Sequence, residues 1–209
     1  MLDRKRCSTP VALLSLCLAA CMNGSALMSN QNSSGLIAVL HATGPVSDRA
    51  EALALYGRFI GDWDADIVTY SANGDRHYGN GEIHFGWILE GRAIQDVWMI
   101  PQQKDRIPKA PEMPVAGNWF GTTIRVYDPT LQAWRIFWVD PATNSYRQQI
   151  GRQQGADIVQ EGTTESGALS RWSFTEITPL SFHWKAEASM DYGKSWRLFV
   201  EVFAHRRLS

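Results

Sequence analysis

From residue 63 to the end of the chain, apolar and polar residues alternate with a period of two, the pattern of strands with one buried face. The alternation predicts strands near 63–70, 81–89, 92–100, 119–127, 133–140, 146–152, 157–163, 169–177, 181–190 and 195–206. Short turn signals separate most of them: Asn73-Gly74-Asp75, Glu90-Gly91, Asp128-Pro129, Asp140-Pro141, Thr178-Pro179 and Tyr192-Gly193. Only 47–60 has helical spacing, with Ala52, Leu55, Tyr56, Phe59 and Ile60 on one face. Asp48 and Glu51 stand in capping-box positions ahead of it, and Gly61 ends it. About ten hairpin-linked strands need closure to avoid open edges. The expected fold is therefore all-β: an up-and-down antiparallel barrel of about ten strands preceded by one helix, enclosing a cavity.

The N-terminal segment reads differently. Asp3-Arg4-Lys5-Arg6 is a basic start, and Val11 to Ala20 is apolar but too short to span a bilayer, which takes roughly 20 residues. Leu18-Ala19-Ala20-Cys21 closes it with small residues, as a secretory signal does. The ending resembles the lipobox of bacterial lipoproteins. That resemblance implies a signal peptide over 1–20 and acylation of Cys21, a palmitate-type anchor in the cell envelope. With Met22 rather than Asp after the Cys, it implies the outer membrane where the cell has one. The Asn- and Ser-rich stretch within 21–46 is expected to be a flexible tether, and 47–209 the folded domain.

Composition narrows the functional classes. A hydrophobic content of 44% and a charged content of 20% suit a globular domain with a sizeable core. Formal charge is −1; loss of Arg4, Lys5, Arg6 and Asp3 with the signal would move it to about −3. That argues against nucleic acid as a partner. The Cys residues are Cys7, Cys17 and Cys21, so the processed chain would keep no free thiol for a disulfide, zinc or nucleophilic catalysis. His41, His77, His84, His183 and His205 lack metal-ligand spacing, and no Gly-x-Ser-x-Gly elbow occurs. Neither metal nor cofactor is expected. Gly193-Lys194-Ser195 echoes a phosphate loop, but its first glycine position is Ala188 and its context is a hairpin. Nine Trp point to an indole-rich interior or cavity.

Gly61-Asp62-Trp63 after a helix resembles the opening of the calycins, the lipocalins and their relatives. Leu89-Glu90-Gly91-Arg92, Tyr127-Asp128-Pro129, Trp134, Trp138-Val139-Asp140 and the closing Asp191-Tyr192-Gly193-Lys194 hairpin are similar to a family of uncharacterised bacterial calycin-like proteins. The resemblance spans roughly Leu53 to Arg207 and implies a barrel without an assigned chemistry. The lipocalin Thr-Asp-Tyr motif is not evident.

Hairpin registers nominate candidate side chains. A turn at Glu90-Gly91 sets Phe85 opposite Asp96, Trp87 opposite Ile94 and Ile83 opposite Trp98. Asp96 then stands alone among aromatics, either as a proton donor or hydrogen-bond partner for a guest, or paired with an Arg of a neighbouring strand. A bulged turn at Gly193 sets Trp184 opposite Val200, Ala186 opposite Leu198 and Ala188 opposite Trp196. The reverse face then pairs Glu187 with Arg197 and His183 with Glu201. Ile124, Val126, Trp134, Ile136 and Trp138 read as an apolar face with Arg125, Tyr127 and Arg135 on its reverse. Whether Arg125, Arg147, Glu161 and Arg171 point into the barrel or away stays open; an inward Arg147 or Arg171 would suit a ligand carboxylate. The proline-rich connection from Pro101 to Gly117 is long enough to act as a lid or to be a plain insertion.

Three functions remain. The first is a binding module for a small apolar or aromatic molecule, lined by Phe85, Trp87, Asp96, Trp98, Trp138, Trp172, Trp184 and Trp196. The second is a cofactor-independent lyase, isomerase or cyclase using Asp96 with His84. The third is an envelope interaction protein acting through its outer surface. Oligomeric state is not legible.

Overall fold

A computed structural model describes residues 31–106 and 118–208. Cys21, the signal segment and most of the proline-rich connection lie outside the described residues. Ten antiparallel strands form the wall: β2 (Gly61–Tyr70), β3 (Arg76–Ile88), β4 (Ala93–Ile100), β5 (Trp119–Asp128), β6 (Ala133–Asp140), β7 (Ser145–Gln154), β8 (Asp157–Thr163), β9 (Leu169–Thr175), β10 (Ser181–Ser189) and β11 (Arg197–Arg206). Each pairs with its sequence neighbour. The last strand returns to the first through pairs such as Val202 with Ile67, closing the cylinder. Closure leaves no row of unpaired backbone groups along the wall. A two-residue strand, β1 (His41–Ala42), extends β3 through His41–Ile88 and Ala42–Trp87. The all-β barrel expected from the alternation is thus the fold.

One end is filled. Helix α2 (Ala50–Gly57) and the turn after it lay Leu53, Tyr56 and Phe59 against the strands, each at most 1% exposed. Phe59 packs on Phe85, Phe174 and Phe182 at ring distances of 5.6, 4.7 and 5.0 Å. Tyr56 meets Trp134 edge-on at 4.7 Å. Gly61 turns the chain from helix to strand at φ 122°, a conformation that side chains rarely adopt, and a Cβ there would lie 2.8 Å from the Arg206 guanidinium. That guanidinium bolts the end shut. It stacks over Trp63 at 4.1 Å and donates to the carbonyls of Ile60, Arg58 and Pro179 at 2.7, 2.8 and 2.8 Å.

Several local expectations change. The helical segment is a 3-10 turn, Ser47–Arg49, followed by α2, and no side chain caps it. Asp48 lies 3.7 Å from both Arg49 and Arg92 instead. Part of the expected tether is helical, as α1 (Gln31–Leu40). In the last hairpin Trp184 faces Val202, Ala186 faces Val200 and Ala188 faces Arg197, with a bulge between Ala186 and Glu187. The reason is that the connection is longer than a bulged turn and the bulge adds one more residue.

Candidate functional site

The opposite end is hollow. A chamber of about 390 Å³ lies at the end of the barrel where β4, β6, β8 and β10 finish and β5, β7, β9 and β11 begin. That is within the usual range for a small-molecule site. Its walls carry five indoles: Trp98 from β4, Trp119 from β5, Trp138 from β6, Trp172 from β9 and Trp184 from β10. They form a continuous arc. Trp184 touches Trp98, Trp172 and Trp119 at centroid distances of 5.0, 5.5 and 6.4 Å, and Trp172 touches Trp138 at 6.1 Å. The rings meet at 54° to 86°, so no two lie flat on each other and their faces turn different ways round the chamber. Trp138 pairs with Thr123 and has room because Gly121, two residues along β5, bears no side chain; a Cβ there would come within 2.5 Å of the indole.

A polar layer separates this chamber from the packed end. Asp96 is fully buried, opposite Phe85 as its hairpin predicts. Its carboxylate accepts the Thr123 backbone N–H at 3.0 Å and a charged hydrogen bond from Arg125. The Arg125 guanidinium also lies over Tyr56, Phe85 and Phe174, with ring distances of 5.1 to 5.8 Å. Arg125 is therefore inward, paired across the sheet with Ile136, while Ile124 and Val126 face out. This reverses the expected facing of Ile124 and Val126, and the register is the reason. Thr123 pairs with Trp138 and Arg125 with Ile136, so the inward residues of β6 set the odd-numbered residues of β5 inward. Around the pair sit several polar atoms with no hydrogen-bond partner among the described residues: Arg125 Nε, the Tyr56 hydroxyl, Gln149 Oε1 and both ends of the Gln160 amide. Burial drives the Tyr56 phenol well above its ordinary range, against the opposing pull of the Arg125 charge.

The candidates named from sequence separate into groups. Trp98, Trp138, Trp172 and Trp184 share the chamber wall. Phe85 and Trp87 belong to the packed end, Trp87 against Gly57 of α2. Asp96 lies behind Arg125 rather than in the wall. Trp196 precedes β11 and is stacked under Arg171 at 4.0 Å, outside the chamber. The register shift in the last hairpin is what leaves it there. His84 follows Ile83 on β3, faces outward and lies 2.7 Å from Asp62. It cannot join Asp96, because adjacent residues of a strand point to opposite faces. Arg171 also faces out, donating to Glu187 at 2.9 Å in place of the expected Glu187–Arg197 pair. Glu161 is exposed beside it on β8. His183 faces Phe203 in register, yet its Nε2 lies 3.0 Å from Glu201.

Among the wall residues, Trp119 and Asp140 are not named from sequence, and the facing of Arg147 stays open there. Trp119 was visible as a strand residue, but nothing fixed its facing, because the long connection before it hides the β4–β5 register. Asp140 looked like a turn residue. It is that, accepting the N–H groups of Ala142 and Thr143 at 2.8 and 3.3 Å, but it also lines the chamber. Arg147 is inward opposite Trp138 and pairs with Glu165 at 2.6 Å near the rim.

No protein-family model matches the chain. No curated protein matches it. Two solved structures are similar in fold. The crystal structure of Rv2717c from M. tuberculosis aligns with a TM-score of 0.51 at 12% identity, over 76% of this chain and 99% of that one. An S-type phycobiliprotein lyase, CPES from Guillardia theta, aligns with a TM-score of 0.52 at 12% identity, over 79% of this chain and 99% of that one. What the chain shares with them is the fold, a calycin-like closed β-barrel.

Proposed function

We propose that this protein holds a small apolar or aromatic molecule in the tryptophan-lined chamber. The observation that carries the reading is the five-indole arc round an unfilled volume, in a barrel whose other end is packed tight. Trp119, Trp138 and Trp172 are only half-buried and so forgo burial that contributes about 25 cal/mol per Å² of apolar surface. A guest would recover that contribution. One barrel of this fold is a phycobiliprotein lyase, which supports a small-molecule role.

Binding is favoured over acid–base catalysis by a specific arrangement. The acid singled out for proton transfer is satisfied by Arg125 and a backbone N–H, and its supposed partner His84 is on the outer face. An interaction protein without a ligand fits less well, because it has no need of a hollow end. Carried with the binding role is anchoring through Cys21 in the cell envelope, which rests on the signal-like segment alone.

The test is titration of the purified protein with a panel of small aromatic and fatty compounds, read by intrinsic indole fluorescence. Ligands should quench or shift the emission with saturable curves, and Trp172→Phe should change both amplitude and affinity. Silence across the panel, with no small molecule co-purifying by mass spectrometry, would sink the reading.

A further inference from the structure

Four ionisable residues border the chamber: Arg125, Asp140 and Arg147, which lie on inward faces, and Glu187, whose carboxylate is turned to Arg171 on the outer face. Three are matched by an opposite charge from outside the wall. Arg125 has Asp96, Arg147 has Glu165 at 2.6 Å, and Glu187 has Arg171 at 2.9 Å. Asp140 has no such match among the described residues. It is 1% exposed, its Oδ1 caps the β6–β7 turn, and its Oδ2 has no hydrogen-bond partner among the described residues. A buried carboxylate oxygen without a donor is costly, and a donor brought by a guest removes that cost. Asp140 stands two residues from Trp138 on β6, so both project from the same face of that strand. Indole faces carry negative potential and attract cations, more strongly where water is excluded.

Anion binding has less support in the same wall. Both guanidinium groups of the wall are already neutralised, Arg125 by Asp96 and Arg147 by Glu165, so a further carboxylate would be an uncompensated charge.

We propose that the ligand is a protonated amine on an aromatic or apolar body, its N–H donating to the Asp140 carboxylate while the body lies among Trp138, Trp172 and Trp184. This rests on the reading of the barrel as a small-molecule binder and names the ligand's charge. The probes are three compounds of one shape: phenethylamine, 2-phenylethanol and 3-phenylpropionate. Each is titrated into the purified full chain by calorimetry, in competition with any panel compound that binds. The amine should bind at least about tenfold more tightly than the acid, with the alcohol between, as expected of a charge-assisted hydrogen bond joined to a cation–π contact. Asp140→Asn keeps an acceptor for the turn and should bring the three affinities within about twofold of one another. Equal affinities in the unsubstituted protein, or a preference for the acid, would overturn the proposal while leaving a small-molecule site in place. So would an amine preference that survives in folded Asp140→Asn. The ranking in the unsubstituted protein decides the matter even if the variant does not fold. Failure of all three compounds, and of the whole panel, would remove the binding reading and this proposal together.

Discussion

The two ends of this barrel are built from the same kinds of side chain and meet different fates. At the closed end Trp63, Trp87 and Trp134 are packed by α2, Phe59, Phe174 and Phe182. At the open end Trp98 and Trp184 are rooted in the core, while Trp119, Trp138 and Trp172 are only half-buried, and all five border the chamber. Aromatic content does not say which end is core and which is pocket. What decides is whether a segment of the chain reaches inside. One short helix does so at one end, and the described residues supply no counterpart at the other.

The comparison breaks most directly through paired truncations. Phe59→Ala removes the ring at the centre of the closed end and should cost about 3–5 kcal/mol in chemical denaturation. Trp172→Ala takes a larger ring from a half-buried site beside an existing void, so it should cost less than about 2 kcal/mol. Similar losses from both would mean that the open end is core after all.

The layer between the ends comes next in size. Asp96→Asn leaves the Arg125 guanidinium buried without its counter-charge and should cost about 3 kcal/mol. The double change Asp96→Leu with Arg125→Met should recover most of that, since an apolar pair of similar volume is often neutral or better. If the single variant unfolds no more readily than the parent in urea, the pair is not what holds the layer together.

Where the sequence was legible, the physics is local. The β3–β4 register follows from a short turn, in which Leu89 and Glu90 both take positive φ, and it placed Asp96 opposite Phe85 correctly. Trp184 is inward as expected although its predicted cross-strand partner is wrong. The longer connection and the bulge at Ala186–Glu187 each displace the pairing by one residue, and two displacements restore the face. The pairing of Arg125 was illegible for the opposite reason. Its partner lies one strand away, across a connection whose length hides the register. The same holds for the chamber itself, because a period of two marks which residues face inward but not whether anything fills the space between them.

Filling experiments sharpen the contrast at smaller cost. Ala186 lies in the chamber wall opposite Trp172, and Ala186→Leu should leave stability within about 1 kcal/mol while weakening ligand binding about tenfold or more. Ala204, fully buried at the closed end, has no such room, and Ala204→Leu should destabilise by about 1–3 kcal/mol. Thermal melts of both variants, with titration of the first, test the difference. Equal destabilisation would show that the chamber collapses in solution.

The smallest effect concerns how the open rim keeps its shape without a plug. The β10–β11 connection is tied by Asp191, whose carboxylate accepts the Ser195 hydroxyl at 2.7 Å, the Ser195 N–H at 2.9 Å and the Ser189 hydroxyl at 2.7 Å. Ser195, through its hydroxyl and then its N–H, and Ser189 after it, lower the Asp191 pKa to about 2. The sign follows from linkage. A carboxylate whose pKa is depressed on folding contributes its stabilisation above its unfolded value, 3.8 here, and loses it as pH falls through about 2. An NMR titration of the Asp191 carboxyl carbon should therefore show a midpoint near 2, and Ser195→Ala should move it up toward 3.8. The rim amides of Gly193 and Ser195 should exchange faster in that variant, while the amides of β2 and β3 at the closed end stay unchanged. Loss of protection at both ends would mean that the rim is held by the packed core, and that its clasp is incidental.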